Sequence, residues 1–115
     1  MASIITNYGA INISNEVIAA IAGRAAEQCY GIVGMSGKRA SDGIAELLNR
    51  ENYAKGVRVA SNGDETQITM YVIVEYGTSI NVVAESAIDI IRYNVEQETG
   101  LRVTKVNIVV EGVRV

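Results

Sequence analysis

Alternation of apolar and polar positions is strongest over residues 66–76. Ile68, Met70, Val72, Val74 and Tyr76 fall on one side there, and Gln67, Thr69, Tyr71, Ile73 and Glu75 on the other. A sustained period of two predicts a strand with one buried face. Residues 56–61 read as its antiparallel partner, joined through the turn Asn62-Gly63-Asp64. Residues 4–13 alternate more loosely and end in Ile11-Asn12-Ile13, a short strand. Residues 101–111 place Val106, Ile108 and Val110 on one face of a last strand, which Val113-Arg114-Val115 extends.

The spacing changes to threes and fours in two places. After Ser14, an N-cap residue with Glu16 in the following turn, a stripe of Ile18, Ile21, Ala22, Ala25 and Cys29 predicts a helix ended by Gly31. Ser79 or Asn81 caps a longer one, with Val83, Ala87, Ile90, Ile91 and Val95 inward and Gly100 at its end. A shorter helix is expected over about residues 41–49, burying Ile44, Leu47 and Leu48. The expected fold is α+β, in the order β-α-(short α)-β-β-α-β. Two main helices cover one face of a small, mostly antiparallel sheet, because that buries every stripe at once.

The 115 residues suffice for one domain, spanning 1–115. Apolar residues make up 49% of the chain, with no Phe, Trp or Pro and six Tyr. The core is therefore aliphatic and β-branched, and needs no metal or disulfide to hold it. A net charge of −3 argues against general attraction to nucleic acid or to an anionic membrane surface. No window reaches the roughly 18 apolar residues of a membrane span, so direct insertion is not expected. Residues 1–8 lack a basic, then apolar, secretion signal, and Cys29 has no partner cysteine. The cytoplasm is the expected compartment.

Histidine is absent, which excludes Ser-His-Asp and Cys-His catalysis and histidine metal sites. The segment 31–39 carries Gly31, Gly34, Met35, Gly37, Lys38 and Arg39. It fails as a phosphate loop: the first glycine of that motif falls on Ile32 and Arg39 replaces the hydroxyl residue. Gly31-Ile-Val-Gly34 between helices does match the GXXG loop of a KH-like single-stranded RNA-binding module, with Lys38 and Arg39 nearby. The plainer alternative ends one helix there and tucks Ile32, Val33 and Met35 under the sheet. Cys29, on an apolar stripe with no base near it in sequence, reads as an inert core thiol. Glu75 with Glu85, and Asp64 with Glu65, are acid pairs without a defined cleft. Asp42 reads as helix-start chemistry. No cofactor or metal site and no catalytic residue is expected.

Tyr71 and Ile73 lie on the side of the best strand that helices leave bare, and Val109 and Val113 share their odd parity on the last strand. An apolar patch of this kind is a protein-contact surface unless the N-terminal strand or the short helix covers it. A binder of small apolar ligands is a further alternative and would need a deep cavity lined by Val and Ile.

Four separated stretches carry a resemblance. They are Ile11-Asn-Ile-Ser-Asn-Glu-Val-Ile-Ala19, Tyr30-Gly-Ile-Val-Gly-Met-Ser-Gly37, Tyr71-Val-Ile-Val-Glu-Tyr-Gly77 and the closing run from Thr99 to Val113. In this order they resemble the alkaline shock protein family, a bacterial family associated with cell-envelope stress. The resemblance covers nearly the whole chain and implies a non-enzymatic cytoplasmic protein. It also implies protein partners: some members self-associate as homo-oligomers, and some gather at the inner face of the membrane through a separate membrane-anchored protein. Others are connected with lipid or envelope metabolism. The family supplies no agreed catalytic residues to carry over, and this chain lacks the long charged tail of some relatives.

Overall fold

The computed structural model describes residues 1–36 and 56–115. Its elements run β1 (Ala2–Thr6), β2 (Gly9–Ile13), α1 (Asn15–Glu27), β3 (Ile32–Met35), β4 (Val57–Asn62), β5 (Glu65–Glu75), α2 (Ile80–Thr99) and β6 (Arg102–Arg114). The small α+β architecture is as expected. The expected helix at 41–49, with Asp42, lies outside the described residues.

β5 organises the larger sheet. On one edge it pairs antiparallel with β4 along Glu65 to Met70 and then with β3 along Val72 to Val74. On the other it pairs in parallel with β6 along its whole length. β3 and β4 meet nearly end to end opposite Tyr71. The Ser36 amide donates to the Tyr71 carbonyl, and the Tyr71 amide donates to the Gly56 carbonyl, each at 2.8 Å. Residues 37–55 thus leave and rejoin the sheet at a single rung.

Side-chain alternation along β5 sets the two faces. Thr66, Ile68, Met70, Val72 and Val74 are all buried to 1% exposure or less. Both helices lie over that face. α1 contributes Ile18, Ala19, Ala22, Ala25 and Ala26, and α2 contributes Val83, Ala87, Ile91 and Val95. Alanine on α1 lets its backbone approach closely, so the core is filled mostly by β-branched strand side chains. Removing them from water supplies about 1.5–3 kcal/mol for each large aliphatic side chain. The Ser14 hydroxyl accepts from the Val17 amide at 3.3 Å, as its N-cap position requires. Ser79 is the residue before α2, and Gly100 closes that helix with its amide on the Glu96 carbonyl.

Two expectations are corrected. Residues 4–13 form not one strand but a separate hairpin, β1 paired with β2 from Ala2↔Ile13 to Thr6↔Gly9. The chain turns at Asn7-Tyr8, and polar Asn7 and Thr6 close that turn, with the Thr6 hydroxyl donating to the Gly9 carbonyl. The stretch after Gly31 is the edge strand β3, with Ile32 paired to Val74 and buried, so it is not tucked beneath the sheet.

Thr66 is the exception to an otherwise apolar inner face. Its Oγ1 is buried without a hydrogen-bond partner among the described residues. Thr66→Val removes the stranded hydroxyl and keeps the branched shape. It is expected to raise stability by about 1 kcal/mol, seen as a melting temperature higher by roughly 4 °C. A lower melting temperature would mean that the hydroxyl is satisfied after all.

Candidate functional site

The face of the sheet turned away from both helices carries Gln67, Thr69, Tyr71, Ile73 and Glu75 from β5. Pairing adds Arg58 and Ala60 from β4, opposite Thr69 and Gln67, and Asn107 and Val109 from β6, opposite Thr69 and Tyr71. Tyr71 and Ile73 are half-buried and Val109 is 36% exposed. The apolar strip is framed by charge at both ends of β5: Glu65 pairs with Arg102, and Glu75 with Arg114 at 3.4 Å. These exposed ion pairs add little stability but mark a wet rim. Among the described residues no helix covers this face.

Ser36 and Glu111 tie the strip together. The buried Ser36 hydroxyl donates to Glu111 Oε1 at 2.7 Å. That bond joins β3 to β6 over the intervening β5. It holds the Glu111 carboxylate over the rung where residues 37–55 leave the sheet.

Val113 does not belong to this strip. The β5–β6 register shifts between Val72 and Ile73, with Glu111 as the extra residue. Parity then inverts: Ile73 faces Gly112 and Val113 faces Val74, a core-side residue. A Cβ placed on Gly112 would lie 3.6 Å from the Ile73 side chain, which fixes Gly112 on the open face. Val113 is therefore on the helix side, near the end of the strand and 45% exposed.

The glycine segment is divided. Gly31 ends the turn after α1, its carbonyl accepting from the Glu75 amide, while Gly34 and Met35 pair with Ile73 and Val72. A KH-like module needs an exposed loop at this place, and strand pairing removes it. Gly37, Lys38 and Arg39 lie outside the described residues. The acid pairs are not drawn together as a catalytic dyad: Glu65 and Glu75 each face an arginine across the sheet. Among the described residues, no group of His, Cys, Asp and Glu could hold a metal ion. A groove of about 260 Å³ between the helices is lined by Arg24, Gln28, Asn94 and Glu98 beside Ala20 and Ile21. That mixed lining differs from the Val- and Ile-lined cavity an acyl chain requires.

Cys29 follows the helix instead of lying within it, 4% exposed, with its thiol donating to the Ala25 carbonyl at 3.4 Å. Burial pushes its pKa up by penalising the thiolate. The unfolded chain therefore ionises first. The thiol's contribution to stability is whole below the ordinary value of 9.0 and is lost as pH rises through the higher folded value. Native protein is expected to resist a thiol-directed alkylating reagent at neutral pH and to react fully in denaturant. Fast labelling of the native chain would contradict the inert reading.

No helix of the described residues is long and apolar enough to cross a membrane. Over 85% of this chain the fold is similar to a solved structure of MamM CTD, with a TM-score of 0.53 and 15% identity across 94% of that chain. Such a likeness speaks to the fold alone. By sequence, the uncharacterized protein YloU of Bacillus subtilis is 52% identical over 96% of this chain and 92% of its own length. YqhY of the same organism is 36% identical over 95% of this chain and 80% of its own. A stress response regulator gls24 homolog of Streptococcus pyogenes is 26% identical over 92% of this chain but only 59% of its own. The model of the alkaline shock protein family, described by a cell envelope-related function, matches residues 3–115, and the chain belongs to that family.

Proposed function

We propose that this protein serves the cell envelope by contact and not by catalysis. It acts as an adaptor that binds another protein through the open face of the sheet and associates with copies of itself. The observation that carries this reading is the apolar strip of Tyr71, Ile73 and Val109 on the face opposite both helices, between two charged rims. Apolar centres with polar rims are the anatomy of protein-contact surfaces. An envelope role without a membrane-spanning helix among the described residues fits a chain held at the inner face of the membrane through a partner.

Affinity capture from envelope-stressed cells, with membrane fractionation alongside, tests the reading. A specific protein retained by the native chain and released by Val109→Glu is expected. An unchanging monomer in light scattering, with nothing retained above a control resin, would overturn it.

A further inference from the structure

The β1–β2 hairpin is exposed in a way the rest of the molecule is not. Its base is anchored: Ala2 is buried, the Ser3 amide donates to the Gly63 carbonyl at 2.9 Å, and Ile4 and Ile13 pack against the core. Beyond that base, Ile5 is 77%, Tyr8 101% and Ile11 50% exposed. A two-stranded ribbon is marginal on its own in water. Proteins usually blunt a bare strand edge with charge, proline or a bulge. Residues 1–15 contain no charged side chain and no proline, and β2 pairs with β1 without a register shift.

The hydrogen-bonding pattern fixes what can dock. Because Thr6 and Gly9 close a two-residue turn, alternate rungs of the hairpin exchange bonds internally. The rungs Ser3↔Asn12 and Ile5↔Ala10 are the others, and their backbone groups point outward. Ser3 shows this directly, since its amide reaches Gly63 outside the hairpin. On β2 the outward groups are those of Ala10 and Asn12, whose amides have no backbone partner among the described residues. Ala10 and Asn12 flank Ile11 symmetrically. A second β2, laid antiparallel about a two-fold axis through Ile11, sets Ala10 against the partner's Asn12 and Asn12 against the partner's Ala10. Each of these rungs exchanges two bonds.

We infer that the chain pairs with a second copy of itself along β2, forming a continuous four-stranded antiparallel ribbon centred on Ile11. This deepens the self-association in the reading above and rests on it, while leaving the open sheet face to another protein. The two Ile11 side chains then meet in a non-hydrogen-bonded pair, on the face that already carries Ile4. The contact is isologous and closed, so it gives a dimer and not a filament. The charged edge of β6, with Arg102, Lys105, Glu111 and Arg114, is the poorer template for strand addition.

Two variants test this. Ala10→Pro removes an outward amide without touching the internal ladder. By symmetry it deletes two intermolecular bonds, so the dimer dissociation constant should rise about tenfold or more by analytical ultracentrifugation. Circular dichroism checks that the fold is kept. Ile11→Cys, with Cys29→Ala to remove the second thiol, brings two Cα atoms to within disulfide range. It should give a covalent dimer under mild oxidation, whereas Tyr8→Cys at the hairpin tip should not. A mass unchanged by Ala10→Pro, or cross-linking no faster at position 11 than at 8, overturns the proposal. If Tyr71→Glu dissociates the dimer and Ala10→Pro does not, the hairpin interface is wrong while the contact reading stands. A monomer at every concentration refutes self-association altogether.

Discussion

Gly56→Ala is expected to cost about 2–4 kcal/mol, a large share of the roughly 5–15 kcal/mol that holds such a domain folded. Gly56 sits at φ +80, where an L side chain is strained. An added Cβ would lie 2.7 Å from the Ser36 carbonyl oxygen and 2.9 Å from that of Tyr71. Both obstacles are backbone atoms at the rung that joins β3, β4 and β5, so no side chain can swing aside. Gly63→Ala is the matched control. It has a similar φ of +65 but open space around the new Cβ, and should cost only about 1 kcal/mol. Urea unfolding separates the two through their midpoints, provided the slopes agree. Equal losses would mean that the two half-strands abut less tightly than this rung implies.

Tyr71→Glu and Val109→Glu are expected to weaken partner capture by about a hundredfold or more, because each sets an unpaired carboxylate in a contact that excludes water. Val109 is the cleaner site, being on an edge strand and partly exposed, so that its substitution spares the core. Tyr93→Glu is the control: Tyr93 is 64% exposed on α2, on the helix side of the molecule. Retention of the captured protein on immobilised chain, measured against salt and competitor, reads the loss. Equal retention by all three variants would detach function from the open face.

Much of this arrangement is legible along the chain because its signals are local. Ser14 and Gly100 bound helices whose buried residues recur at threes and fours, and Asn62-Gly63 marks the β4–β5 turn. What the pattern misses depends on pairing. The N-terminal turn places Gly9 after Asn7-Tyr8 and so lacks an adjacent Asn-Gly, which hides a hairpin inside one loose alternation. β3 is short and glycine-punctuated, and is a strand only because the edge of β5 is there to receive it. Counting parity along an unbroken pleat assigns Val113 to the Tyr71 side. The extra residue at Glu111 reverses that parity, and no pattern in the sequence signals it. Tyr71, Ile73 and Val109 remain together because the register between their two shifts is regular.

The most direct measurement places a photo-crosslinking amino acid at position 109, or at position 93 as the helix-side control, in cells under envelope stress. A contact surface on the open face requires discrete adducts to another protein from 109 and few from 93. Adducts from 93 with none from 109 would contradict it.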